Sequence, residues 1–293
     1  MTTWGGFPMR RIAIAAAAFT GLFATGLAAQ GPAERDGSTC ESCKPLLERA
    51  LEHPSRSEDR ARDQYRHPVE TLEFFRVEPG MKVGEFAPGG GWYSRVIGNY
   101  LDEDGKLVGI FFDPSKMPIP EDRRQGIRDS AAKFAAGAAG WTGLPESRFA
   151  GMTTEKIPDA EKGTFDRVLV IRMMHNMFRW NTADSEIAAM RELLKDDGLL
   201  GIVQHRAKAE APWSYANGTK GYLRQADVVK FMEVNGFELV DSAEINANPA
   251  DDADWPGGVW TLPPTLSQKE TARERYEAIG ESDRMTLLFR KAP

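Results

Sequence analysis

Apolar and polar positions along the 293-residue chain switch between a period of two and a period near 3.6, which predicts short strands alternating with amphipathic helices. Short helices are predicted over residues 45–51, 57–65 and 70–75. The second stops at Arg66-His67-Pro68, because a residue before proline avoids the helical region. The apolar run Val83-Gly84-Glu85-Phe86 then leads into Ala87-Pro88-Gly89-Gly90-Gly91. A helix over 92–101 follows, with Tyr93, Val96, Ile97 and Tyr100 at helical spacing. That is a strand, a glycine turn and a helix. A second apolar strand over 106–112 ends in Asp113, and an Ala-rich helical stretch covers 122–139. Further strands are predicted over 148–151, 165–172, 199–205, 237–240 and 284–290. Helices over 183–195 and 225–235 separate them, the first with Ile187, Met190 and Leu194 on one face.

Two apolar strands joined by a helix cannot be a hairpin, so the first units imply parallel strands in an α/β sheet. The segment over 245–283 is long and rich in Pro and Trp, which reads as a lid or insertion rather than slack. No internal repeat or low-complexity linker interrupts the pattern. The reading is one domain over 57–293 behind an N-terminal helical extension, with a poorly ordered or short helical lead-in over 30–56.

Composition changes the picture in three places. The chain carries 37 basic and 43 acidic residues, a net charge of −6, and has no strongly basic block, which argues against nucleic acid as a partner. Arg10-Arg11 precede a charge-free, Ala-rich run over 12–28, the pattern of an export signal cut near Ala28 or Ala29. A signal peptide over 1–29 implies a periplasmic or secreted protein with no stable membrane span after cleavage. The only cysteines, Cys40 and Cys43, admit a redox pair, half of a zinc site or a local disulfide. No second pair exists to complete a zinc site, and in an oxidising compartment the local disulfide is preferred.

The candidate chemistry starts at the glycine turn. Glycine lets the backbone bend sharply and approach a ligand closely, and a helix start supplies free N–H donors. Asp113 follows Gly89 at the distance of the acid that binds ribose hydroxyls in dinucleotide folds. The alternation of six strand–helix units with a last strand after a long connection resembles the class I S-adenosylmethionine-dependent methyltransferase fold. More narrowly, the chain is similar to a family of exported predicted methyltransferases. The matching stretches are Asp63-Gln64-Tyr65-Arg66-His67-Pro68, Glu70-Thr71-Leu72, Pro79-Gly80-Met81, Pro88-Gly89-Gly90-Gly91-Trp92-Tyr93 and Gly280-Glu281-Ser282-Asp283-Arg284-Met285-Thr286.

The resemblance implies a Rossmann-like seven-strand sheet, mostly parallel with an antiparallel last strand. It also implies S-adenosylmethionine as cofactor and transfer of its methyl group to a small-molecule acceptor. Glu85 matches the acid that organises the glycine loop, Gly89, Gly90 and Gly91 match the loop around the cofactor's amino-acid portion, and Asp113 matches the ribose-binding acid. Ala87 departs from the pattern, standing where the first glycine of the loop normally sits. Trp92 and Tyr93 open the next helix, either flanking the cofactor or packing the helix to the sheet.

Ligands of open α/β sheets bind outside the carboxyl ends of the strands, where His175 and His205 both fall. His175 and Asn176 are the catalytic candidates, His175 as general base. No metal site is assigned, since no tight ligand spacing supports a His175–His205 pair. Arg66 reads as a solvated arginine, and Asp251, Asp252 and Asp254 as a solvated acidic turn. Two other readings stand beside the methyltransferase: an exported non-catalytic ligand-binding protein on the same fold, and a metal-assisted hydrolase. The sequence names neither the acceptor nor the oligomeric state.

Overall fold

A computed structural model describes residues 43–293 together with Met1 and Cys40. Apart from Met1, the export signal read over 1–29 lies outside the described residues, as do 30–39 and 41–42. The strands are β1 (Lys82–Phe86), β2 (Lys106–Phe111), β3 (Phe149–Thr153), β4 (Phe165–Ile171), β5 (Leu194–Ala207), β6 (Leu223–Arg224), β7 (Phe237–Ala243) and β8 (Arg284–Lys291). They form one sheet in the order β3-β2-β1-β4-β5-β8-β7, with the two-residue β6 beside the end of β5. β8 runs antiparallel to both β5 and β7, and the other pairings are parallel.

This is the mostly parallel, Rossmann-like sheet expected from the sequence. The antiparallel last strand is there as expected, lying between β5 and β7. One detail differs: β6, too short for any periodicity, makes an eighth strand.

The helices are α1 (Cys43–Glu52), α2 (Asp63–Arg66), α3 (Pro68–Phe74), α4 (Trp92–Tyr100), α5 (Glu121–Thr142), α6 (Met174–Arg179), α7 (Ala183–Leu193), α8 (Trp213–Ala216), α9 (Gln225–Val234) and α10 (Arg273–Ile279). Two apolar clusters divide them. Leu47, Leu72, Val96, Ile97 and Phe134 of α1, α3, α4 and α5 pack with Val83 and Leu169. Met174, Ile187, Met190, Val228 and Met232 of α6, α7 and α9 pack with Phe86, Val168 and Leu287. Alternation along β1 therefore sends Val83 and Glu85 toward α4, and Gly84 and Phe86 the other way. Cys40 and Cys43 are joined in the expected local disulfide at the start of α1.

The helix predicted over 57–65 is broken into a 3-10 turn at Arg60–Arg62 and the short α2. Tertiary ion pairs hold this stretch instead of a continuous helical ladder: Arg56 binds Asp63, and Asp59 binds Arg95 of α4. The long segment over 245–283 contains a 3-10 turn at Gly258–Thr261 and α10. Its Asp251 is not solvated but buried, accepting from Tyr222 Oη, Trp255 Nε1 and the Asp283 N–H. No helix among the described residues is long and apolar enough to cross a membrane.

α5 lies close on β2 and β3 because two glycines face it in register, Gly109 opposite Gly151. A Cβ on Gly109 would stand 2.7 Å from the Phe134 ring, and one on Gly151 only 2.0 Å from the Ala131 carbonyl oxygen. Backbone cannot yield as a side chain can, so Gly151→Ala should cost at least about 2 kcal/mol in urea unfolding. Gly126, in the same helix, is exposed with nothing within 4 Å of a Cβ. Gly126→Ala should stabilise the protein by about 0.5–1 kcal/mol in the same measurement.

Candidate active site

The order of strands reverses between β1 and β4, and the crevice outside their carboxyl ends is where α/β sheets of this kind take ligands. Both strands end in a left-handed residue other than glycine. Ala87, immediately after β1, has φ 49°, and Arg172, immediately after β4, has φ 57°. Each costs backbone energy, and each is held by a backbone bond to the neighbouring strand: Ala87 N–H to Ile110 C=O at 2.7 Å, Arg172 N–H to Val203 C=O at 2.6 Å. Ala87 thus keeps the conformation that a first-loop glycine would adopt freely. Gly89 and Gly91 are left-handed as well, with φ 57° and 76°. Gly89 and Gly90 are exposed, and a Cβ on Gly90 would meet nothing within 4 Å. Gly91 is pinned on its other side, since a Cβ there would stand 2.3 Å from the Trp141 ring.

Glu85 sits beneath this loop, buried under the first turn of α4, and accepts a hydrogen bond from Ser94 Oγ at 2.5 Å. Burial pushes its carboxyl up to about 8, against the smaller opposing pull of the Ser94 bond and the Arg95 charge. At neutral pH it is largely the uncharged acid. Asp113 lies after β2, one strand over, and is also buried. Its Oδ1 accepts from Ser115 N–H at 2.9 Å and Ser115 Oγ at 2.5 Å, and its Oδ2 is 3.2 Å from Lys116 Nζ. Burial would raise this carboxyl, but the Ser115 and Lys116 interactions outweigh it and leave it below the usual range. The Asp113 N–H donates to Glu186 of α7, whose other oxygen accepts from Thr154 Oγ1 after β3. The ends of β2 and β3 are thereby tied to the helix that follows β4.

Across the reversal lies a cavity of ≈ 250 Å³ between the ends of β4 and β5 and the loop leading into β8. His175, Asn176 and His205 line it with Arg172, Trp260 and Glu281. Gln204 orients His175. Its Nε2 donates to Gly221 C=O at 2.8 Å, which turns its Oε1 toward the His175 backbone N–H at 3.3 Å and Nδ1 at 3.4 Å. In that arrangement Nδ1 carries the proton, and Nε2 keeps the lone pair. Burial, with smaller contributions from Arg179 and Arg172, lowers His175 to about 4 despite the Gln204 bond. His205, its ring 5.4 Å away and its Nδ1 2.6 Å from Ser282 Oγ, is held well below its ordinary value by burial first, and then by the nearness of His175 and the Arg172 guanidinium. Both imidazoles are neutral near pH 7. Asn176 contributes a wall, its Nδ2 3.7 Å from Met173 sulfur. Among the described residues no three metal-ligating side chains gather into a metal-sized group.

Tyr93 is buried and donates to Arg66 C=O at 3.1 Å. Trp92 is packed between the guanidinium groups of Arg56 and Arg66, 4.9 and 4.5 Å from its ring centre. Arg66 is not solvated: it is 1% exposed and paired with Glu281 at 3.2 Å. Arg62, Arg284 and Arg172 reach the same carboxylate at 2.7, 3.0 and 3.8 Å. Sequence reasoning missed Arg172, Arg284 and Glu281 as parts of the site. A signal existed for two of them, because 63–68 and 280–286 were both matching stretches, and Arg66 and Glu281 join them here.

No family model matches the chain, and no curated protein matches it. Solved structures with a similar chain path include a SAM-dependent methyltransferase from Aquifex aeolicus, 17% identical over 69% of this chain and 93% of that one, with TM-score 0.47. The [4+2]-cyclase SpnF is 16% identical over 78% of this chain and 80% of its own, TM-score 0.49. The mitomycin 7-O-methyltransferase MmcR is 12% identical over 84% and 60%, TM-score 0.46.

Glu85 gives the site a pH signature. Its folded value lies above the unfolded value of 4.5, so the folded protein holds the proton more tightly. The stability this contributes is complete below 4.5 and is lost as pH rises through about 8. Urea unfolding of Glu85→Gln should therefore show a gain over the parent protein that grows between pH 5 and pH 8. A pH-independent difference would mean that Glu85 titrates normally.

Proposed function

We propose that this chain binds S-adenosylmethionine at the β1–β4 reversal and transfers its methyl group to a small-molecule acceptor held in the adjoining cavity. The observation that carries the reading is the backbone of Ala87, Gly89 and Gly91, which keeps the left-handed path of a glycine loop although the first glycine is alanine. The residues around it suit the cofactor. An open glycine tip admits close approach of its amino-acid portion, the uncharged Glu85 braces the loop from below, and Asp113 offers a carboxylate to ribose hydroxyls once Ser115 yields. The cofactor, when bound, supplies a methyl group on a sulfonium centre.

The chain's own work is to position the acceptor and take its proton. Gln204 fixes the His175 tautomer, and Nε2 is an acceptor at any pH above about 4. Trp260 and the Pro263-Pro264 pair wall the cavity on the side of the long segment, the place of a lid. Export through the residue 1–29 signal remains part of the proposal, and the Cys40–Cys43 disulfide supports it, since such bonds persist in oxidising compartments.

Calorimetric titration of the chain with S-adenosylmethionine and with its demethylated product tests the reading. Micromolar binding of both, abolished by Asp113→Ala, is the expected result. Absence of heat with either ligand from folded protein would exclude the cofactor and leave the cavity as the site of a binding protein.

A further inference from the structure

Four guanidinium groups, from Arg62, Arg66, Arg172 and Arg284, converge on the single carboxylate of Glu281. Burial alone would raise Glu281, but these charges outweigh it and hold it at about 2, so it is fully ionised. Burial lowers Arg172 only to about 9 and Arg66 to about 10, so both stay charged at neutral pH. The cluster therefore carries three positive charges more than negative. Neighbouring carboxylates do not make up the difference: Asp59 is bound by Arg95, Asp63 by Arg56 and Asp283 by Arg206. The Trp92 ring offers Arg66 only a π face.

Nη2 of Arg66, Nε of Arg172 and Nε of Arg284 are buried and make no hydrogen bond among the described residues. These enclosed nitrogens add to the cost of the cluster, and an anion beside it would offset the excess positive charge. Arg172 is the member that lines the cavity with part of its side chain exposed. The rest of the cavity suits the other end of such a ligand. Trp260, Pro263 and Pro264 give a flat apolar wall, and a lining His175 whose Nε2 keeps its lone pair suits a hydroxyl better than a second negative charge. The volume of ≈ 250 Å³ limits the ligand to a small molecule.

We infer that the cavity binds a small hydroxylated aromatic carboxylic acid, its carboxylate on Arg172 and its hydroxyl toward His175. That this molecule is the methyl acceptor rests on the function proposed above. The anion site itself does not.

The probe is 4-hydroxybenzoate, titrated calorimetrically into the full chain without cofactor, beside 4-hydroxybenzyl alcohol, which has the same ring and hydroxyl but no charge. The acid should bind at least about tenfold more tightly than the alcohol, as expected for a charge-assisted pair at a desolvated site. Arg172→Asn, which tolerates the left-handed backbone, should bring the acid down to the level of the alcohol. A thermal shift on the unmodified protein keeps the test open if the variant fails to fold: the acid should raise the melting temperature and the alcohol at equal concentration should not. Equal binding of acid and alcohol, or full affinity in Arg172→Asn, overturns the inference. Binding of inorganic phosphate as tight as that of the acid would also overturn it, by showing a bare oxyanion site that ignores the ring. Because no cofactor is present in these titrations, their failure is separate from failure of the cofactor-binding experiment.

Discussion

Glu281 is the charge on which the arrangement around the site depends. It is 3% exposed and lies at the meeting point of the N-terminal extension, the end of β4 and the start of β8. Without it four guanidinium groups would repel one another in a poorly hydrated space, where such repulsion is weakly screened. With it, Arg66 can bring its carbonyl to Tyr93 and its guanidinium to Trp92, which docks the extension on the helix after the glycine loop. Tyr65 closes against Gly280, and the Arg284 guanidinium caps the Tyr65 carbonyl. Asn246 adds a neutral link, donating to Thr71 Oγ1 and Thr286 Oγ1 at 3.0 Å each. One carboxylate thus makes a single body of segments more than two hundred residues apart.

The core of the fold was legible because its strands are buried on both faces. Val83 to Phe86, Leu107 to Ile110 and Val168 to Ile171 read as near-continuous apolar runs, the mark of a parallel sheet under helices. α7 was equally plain, since Ile187 and Met190 recur at its spacing, whereas the short α6 before it had no such signal. What escaped were features made by distant partners. Residues 57–65 carry the charges of a solvated helix, yet their geometry is set by ion pairs to Arg95 and within the extension. Asp251 sits among acidic neighbours and reads as surface, whereas Tyr222 from another segment and Trp255 four residues on donate to it and bury it. Polar residues reveal little of their environment by periodicity, because their burial depends on a partner that sequence spacing does not specify.

The same distinction runs through the site. The glycine loop and Asp113 were found by local spacing, and so was His175 at the end of its strand. The strain at Ala87 and Arg172 had no local signature, since neither residue type is associated with a left-handed backbone. Only the sheet shows that the two are counterparts, each following one of the strands on either side of the reversal. The crevice is thereby flanked by a small side chain on one side and the largest cation on the other. That asymmetry separates a place for close backbone approach from a place for charge.

The position of β8 has a consequence for how the molecule is assembled. This strand comes last in the sequence but occupies an interior place in the sheet, and among the described residues β7 pairs with no other strand. A chain emerging amino end first can pair β1 to β5 early, while β7 waits without a partner until residues 284–291 arrive. Glu281 arrives with them, so until then Arg62 and Arg66 of the extension lack their counter-charge. Sheet closure and completion of the site are therefore the same late event, and a chain halted just short of it holds both an open strand edge and an unneutralised cationic cluster.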